Sequence, residues 1–395
     1  MDHPAMQRAL FLFNHDAPHQ VAHLARIAAK LAKNDAGIAV IVAYATPSLR
    51  NHVENAIGTE TAKTVTWVEL KLRGVIGTLA NIGDRLFPAS RLLRLRRYAD
   101  LFESCDVIVS SERTFLRIKR HIDPAKSPLF VKIPHGAGDR AVTFHRDNTR
   151  FDLLLVSGGK FRDEFISAGV APEKIAVVGY PKFEGIDLSR RQEFFDNGNP
   201  TFLYNPHFDP HLSSWYDAGP DLLRWFASEE GQTFNCIFAP HVMLFKKKWH
   251  FSPEHRRLRA APPVPPEVRG AANVLIDTSG PRLFDMSYTL SADAYIGDAS
   301  SQIYEFLVRP RPAFFLDIAD AVRTERAQPP AFQQTGPVAR SLAELTAKLT
   351  AFESIGAQYR SAQQELVDRT FDLSEVPSSQ RAANAIIDLL KREGA

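Results

Sequence analysis

The sequence has little cysteine: two residues in 395, Cys105 and Cys236, far apart and outside any CxxC spacing. That argues against a disulfide scaffold or a cysteine-built metal site and suits two buried thiols in a reducing compartment. No run approaches the roughly 18 apolar residues of a membrane-spanning helix. The opening MDHPAMQRALFLFNHD has too short an apolar run, with the wrong flanks, for a secretory signal. A cytoplasmic location is therefore expected. Net charge is also small, because 48 basic against 45 acidic residues leave +3. A dedicated nucleic-acid binder carries a larger excess, so nucleic acid is not an expected partner. P-loop, HExxH, GxSxG and DxD patterns are all missing. The missing DxD argues against the commonest metal-dependent glycosyltransferase design. His145, His207, His211, His250 and His255 share no ligand spacing, so no metal is expected, and no cofactor either.

What is present is an alternation of strand-like and helix-like segments. Ala9–Asn14 (ALFLFN) is a short apolar run, and Ile38–Tyr44 (IAVIVAY) is another, rich in β-branched residues. Between them Val21, Leu24, Ile27, Ala28 and Leu31 recur at helical spacing. Strand, helix, strand is a βαβ unit, and continuously apolar strands are those of a parallel sheet covered on both faces. Further strands are expected at Val107–Ser110, Leu129–Ile133, Leu153–Ser157 and Ile175–Gly179. The pattern breaks at IDLSRRQEFFDNGNP, where Asn-Gly-Asn-Pro is strong turn chemistry. A second series follows: Thr201–Tyr204, Asn235–Ala239, Val274–Asp277, Ala294–Gly297 and Ala313–Leu316. Helices are expected at Leu342–Phe352 and Arg381–Lys391. A chain this long exceeds what one core usually serves. The expectation is an α/β protein of two doubly wound Rossmann-like domains facing a cleft: residues 1–185, a linker at 186–200, and 201–395, with the last helix able to return to the first domain.

Ligands of such sheets bind beyond the carboxyl ends of the strands, which makes the residues just after each strand the shortlist. It contains His15, His135, Tyr180, Asn205–His207, His241, Thr278–Ser279 and Asp298–Ser301. Gly136–Ala141 is a formal GxGxxA, but it follows an inner strand, whereas a dinucleotide fingerprint belongs at the first strand–helix turn. His135, followed by Gly136, can aim an imidazole into a cleft while the backbone approaches a substrate. Histidine's ordinary pKa near 6.5 suits general-base work, although a turn histidine with local hydrogen bonds fits the same pattern. His241, after Ala239-Pro240, can bind phosphate oxygens or be structural. Ser300 and Ser301 follow a strand and open a helix, where free amides favour a phosphate and where a serine equally serves as N-cap. Glu305, a turn further on, could reach ribose hydroxyls. Arg85–Arg97 holds five arginines and no acid, and Phe245–Arg259 holds six Lys/Arg with Phe245, Trp249 and Phe251 interleaved. Basic and aromatic segments of this kind suit an anionic membrane surface or a polyanion, against the alternative of a solvated surface.

Taken in order, several segments resemble the CDP-glycerol glycerophosphotransferase family, the polymerases and primases of teichoic-acid-type polymers. They are Pro134-His135-Gly136, FDLLLVSG, VVGYPKFE at Val177–Glu184, FLYNPHF at Phe202–Phe208, FAPH at Phe238–His241, and AYIGDASSQIYEFLVRPRPAFFLD at Ala294–Asp317. The resemblance spans about Phe130 to Asp317. It implies a GT-B fold and transfer of a glycerol-phosphate-type group from a CDP-activated donor to a glycan or lipid-linked acceptor. It implies His135 as the base, His241 near the transferring phosphate, and Ser300 and Ser301 on the pyrophosphate. Asp298, Glu305, Gly136, Tyr180, Pro206, His207 and Thr278 complete the donor residues. Glu305 stands where the family usually has Asp. The family's Pro-Thr-x-Arg is Pro206-His207-Phe208-Asp209 here, which removes an arginine directed at phosphate. A nucleotide-sugar glycosyltransferase of envelope or capsule synthesis is the alternative enzyme.

Overall fold

The computed structural model describes residues 6–15, 18–34, 37–84, 89–138, 141–252, 255–298, 300, 302–318 and 330–394. The chain forms two compact units. Unit 1 comprises Met1–His135, Arg140–Gly185 and Arg369–Ala395; unit 2 comprises Gly136–Asp139 and Ile186–Asp368.

Unit 1 is a seven-stranded sheet of β1 (Arg8–Phe13), β2 (Ala39–Tyr44), β3 (Thr66–Glu69), β4 (Val107–Ser110), β5 (Leu129–Lys132), β6 (Leu153–Val156) and β7 (Ile175–Val177). Their order is β3-β2-β1-β4-β5-β6-β7, every pair parallel. The order reverses between β1 and β4, a topological switch point. In β1, Ala9–Phe13 are all buried, as a strand covered on both faces requires. Helix α1 (Val21–Ala32) presents Val21, Leu24, Ile27, Ala28 and Leu31 to the core. The last helix of the chain, Ser378–Glu393, belongs to the same core through Ala382, Ala383, Ile386, Leu389 and Leu390. Each fully buried Leu, Ile or Val there contributes about 1.5–3 kcal/mol.

Three contacts seat that returning segment. Ser157 donates its Oγ proton to the Thr370 carbonyl at 2.7 Å, and the Asp372 amide donates to the Ser157 carbonyl at 2.8 Å. A Cβ on Gly158 would lie 2.6 Å from the Thr370 carbonyl, so only glycine permits this approach. The Glu184 carboxylate accepts from the Ser379 amide and, at 2.7 Å, from its Oγ. It thereby satisfies orphan donors at a helix N-terminus and complements the dipole.

Unit 2 holds β8 (Thr201–Asn205), β9 (Asn235–Phe238), a hairpin of β10 (Trp249–Ser252) and β11 (Arg257–Ala260), then β12 (Val274–Ile276), β13 (Ala294–Gly297), β14 (Ala313–Leu316) and β15 (Val338–Ala339). Its six-stranded sheet runs β12-β9-β8-β13-β14-β15, again all parallel, with the switch point between β8 and β13. Phe202, Tyr204, Trp215, Phe238, Ile296 and Phe314 form the centre of its core. Strands β3 and β15 and the hairpin lie outside the sequence expectations; the other strands fall within two residues of theirs. Among the described residues no helix is long and apolar enough to cross a membrane.

Candidate functional site

At the switch point of unit 2, three strand ends are tied together by two buried side chains. Asn205, the last residue of β8, donates Nδ2 to the Ala239 carbonyl beyond β9. Its Oδ1 accepts from the Tyr295 hydroxyl of β13 and from Ser300 Oγ, each at 3.3 Å. Asp298, just beyond β13, accepts the His207 amide on Oδ1 at 2.9 Å, and the Ser214 amide and hydroxyl on Oδ2 at 2.7 and 2.9 Å. Asp298 therefore pins the loop after β8 across the switch point. Burial, outweighing those hydrogen bonds, pushes its carboxyl up to about 7.

This scaffold presents two imidazoles side by side. His207 and His241 have ring centroids 5.2 Å apart, and Phe208 stacks on His207 at 4.5 Å and lies 4.7 Å from His241. The Pro206 carbonyl accepts the His241 amide at 3.0 Å, which links the two loops. Each Nδ1 accepts a main-chain amide: Asp209 N–H to His207 at 3.0 Å, Met243 N–H to His241 at 3.2 Å. An amide can only donate, so both neutral rings carry their proton on Nε2. The pair is a set of Nε2–H donors, suited to phosphate oxygens or to a leaving group that needs a proton.

The remaining residues of the donor set are distributed more widely. Ser300 is buried, and its Oγ also accepts the Gln302 amide at 3.3 Å, so it caps the short helix Gln302–Leu307. Ser301 lies outside the described residues. Glu305 is buried within that helix. Thr278 sits in the turn beyond β12, on the far side of β9 from the switch point. That turn is built by Asp277, which accepts from the Ser279 and Gly280 amides and from the Tyr288 hydroxyl at 2.9 Å. Tyr180 lies in unit 1, buried against His23, Phe183 and Phe371, with ring centroids 4.7–5.0 Å apart. There it packs the returning segment. Gly136 has φ +95°, a conformation that favours glycine after His135.

In unit 1, His135 follows β5 and is exposed. Its Nδ1 lies 3.3 Å from the Ser111 carbonyl beyond β4. A carbonyl can only accept, so the proton sits on Nδ1 and the lone pair on Nε2. This tautomer is the opposite of that in His207 and His241, and it is the one a general base needs. Lys132, at the end of β5, is buried and donates to Asn148 Oδ1 at 2.7 Å; Asn148 in turn donates to the Thr143 and His145 carbonyls. Burial pulls the lysine down to about 7.

Nearer the switch point of unit 1, His15 follows β1 and is 0% exposed, and neither ring nitrogen meets a partner among the described residues. Burial first, then the charges of Arg91 and His135, hold it down to about 3. An unfolded chain takes up a proton at this position near pH 6.5. The folded one does not until about 3. Stability of unit 1 is therefore expected to fall as pH drops from 6.5 toward 3. Denaturant titrations at several pH values check this: His15→Phe is expected to flatten the acid slope, and an unchanged slope would exclude His15 as its source.

A cavity of about 730 Å³ lies elsewhere in unit 2, beside the amino ends of β8, β13 and β14, with Arg191, Asp293, Arg311 and Phe352 among its lining residues. Arg191 pairs with Asp293, and Arg311 gives its donors to five carbonyls. These two cations are thus committed to the protein, and the cavity is at the end of the sheet opposite the switch-point site. Among the described residues, no three His, Cys, Asp or Glu side chains gather as metal ligands would.

No family model and no curated protein matches this sequence. Solved structures do. A histidine-to-asparagine variant of the wall teichoic acid polymerase TagF, soaked with CDPG, aligns over 99% of this chain and 90% of its own, at TM-score 0.59 and 16% identity. A putative UDP-N-acetylglucosamine 2-epimerase from Listeria monocytogenes aligns over 99% and 97%, at 0.57 and 9%. The UDP-GlcNAc 2-epimerase from Neisseria meningitidis, bound to UDP-GlcNAc, aligns over 98% and 100%, at 0.53 and 12%. The fold of this chain is accordingly the α/β GT-B type, two Rossmann-like units, shared with TagF and with these epimerases.

Proposed function

We propose that the protein transfers a glycerol-phosphate-type group from a CDP-activated donor to a hydroxyl of a cell-surface glycan or lipid-linked polymer, releasing CMP. The observation that carries this reading is the pair of histidine tautomers: Nε2–H donors at His207 and His241 in unit 2, an Nε2 lone pair at His135 in unit 1. In the proposed step the acceptor oxygen attacks the β-phosphorus and its proton passes to His135 Nε2. The bond between that phosphorus and the bridging oxygen breaks, and CMP leaves with charge offset, or a proton supplied, by His241. His207, Ser300, Ser301 and Glu305 are assigned to the nucleotide side. Likeness to TagF supports a CDP-linked donor. Likeness to an epimerase bound to UDP-GlcNAc favours the second reading, transfer of a sugar from a nucleotide sugar.

The two readings differ in product. With CDP-glycerol and a polyol-phosphate or glycan acceptor, ion-exchange analysis is expected to show CMP. A nucleoside diphosphate, formed from a nucleotide sugar, would replace the first reading with the second. Failure of CDP, CMP and UDP alike to raise the melting temperature would overturn both, since a ligand at 100 times its Kd stabilises by about 2.7 kcal/mol.

A further inference from the structure

The β10–β11 hairpin has two chemically different faces. Strand alternation turns His250 and Ser252 inward, where both are buried and His250 Nε2 meets the Leu244 carbonyl at 2.8 Å. It turns Trp249 and Phe251 outward, and Phe251 pairs directly with Leu258 of β11. Trp249, Phe251 and Leu258 are 56%, 56% and 59% exposed. Three large apolar side chains thus stand in water on one two-stranded ribbon, an arrangement that marks an interaction surface.

The charge beside them has one sign. Lys246, Lys247 and Lys248 lead into β10, Arg256 precedes β11 and Arg257 opens it; none forms an ion pair with a described residue. Arg259, in contrast, is held by Asp217 at 2.7 Å and lies over the Tyr216 ring. From Lys246 to Leu258 the sequence carries five Lys/Arg and one acid, Glu254.

We infer that this hairpin docks the protein on an anionic lipid bilayer. Trp249, Phe251 and Leu258 enter the boundary between headgroups and acyl chains, while the lysines and arginines meet lipid phosphates. A soluble polyanion would satisfy the cations and leave the apolar face in water. A second copy of the chain would cover the apolar face and bring like charges together. A bilayer satisfies both faces at once. The inference is independent of the reaction proposed above.

Co-sedimentation with vesicles tests it. The full chain is expected to pellet with vesicles of phosphatidylcholine and phosphatidylglycerol, to remain in the supernatant with phosphatidylcholine alone, and to be released by high salt. Lys246→Gln/Lys247→Gln/Lys248→Gln is expected to weaken partitioning about 100-fold. Trp249→Ser/Phe251→Ser/Leu258→Ser is expected to weaken it at least about tenfold without lowering the melting temperature, because the three side chains are already in water. Lipids brominated on the acyl chains are expected to quench emission from the wild type and to leave the emission of Trp249→Phe unquenched. A wild-type protein that stays in the supernatant of anionic vesicles would overturn the inference. So would a triple-serine variant that pellets with anionic vesicles like the wild type.

Discussion

Replacing His135 by alanine is expected to lower turnover about 10²–10⁴-fold, the range a positioned general base contributes. Donor-dependent thermal stabilisation should persist, because His207, His241, Ser300 and Glu305, the residues proposed for the nucleotide, lie in unit 2. The melting temperature should hardly move, since the side chain is exposed and the Ser111 carbonyl it meets is one that water can serve. His135→Gln is the sharper variant. Its amide can still donate to the Ser111 carbonyl, so it keeps a turn-stabilising role while offering no basic nitrogen. A purely structural histidine predicts near-normal turnover in the glutamine variant; loss in both assigns the proton-accepting role. Single-turnover release of CMP measures the step directly.

The second large effect is expected at Asp298. Truncation to alanine leaves the His207 amide, the Ser214 amide and the Ser214 hydroxyl buried without their acceptor. Each unsatisfied group costs about 1–3 kcal/mol, so a loss on the order of 3 kcal/mol or more is expected, a fall of roughly 10 °C in the melting of unit 2. Nucleotide binding should fail with it, because the loop carrying His207 loses its anchor. The same carboxyl makes unit 2 sensitive to alkali. Its folded value of about 7 stands above the unfolded value of 3.8, so the associated stability is complete below pH 3.8 and is lost as pH rises through 7. Asp298→Asn, which does not ionise, should lose that slope in denaturant titrations from pH 5 to 8. A wild-type slope in the asparagine variant would show that another group titrates.

Much of the fold is legible because parallel strands covered on both faces are continuously apolar. Val107–Ser110, Ala294–Gly297 and Ala313–Leu316 have the boundaries their composition suggests. What escaped is what lacks that cover. In β3, Thr66–Glu69 lies on a sheet edge with no fully buried residue, and β15 has only two residues. The hairpin's alternation was hidden because Trp249 and Phe251 face outward while His250 and Ser252 face inward, the reverse of the usual hydrophobic pattern. Strand-end reasoning singles out His15, His135, Asn205, His207, His241 and Asp298, each of which stands at or just beyond a strand end. It could not find Ser214, which reaches Asp298 from 84 residues away, or Tyr288, which braces Asp277, since neither follows a strand. It also puts Tyr180 on the shortlist, and that ring packs in unit 1 against His23, Phe183 and Phe371.

That core has a consequence for biosynthesis. Unit 1 is completed only by Arg369–Ala395, whereas unit 2 is essentially one continuous stretch, Ile186–Asp368. A ribosome therefore finishes unit 2 before it supplies the helix that completes the core around α1. Through that interval α1 lacks the cover that the last helix gives it. The nascent chain is then a client for whatever shields apolar surface in the cell, and loss of the last helix should condemn unit 1 while sparing unit 2.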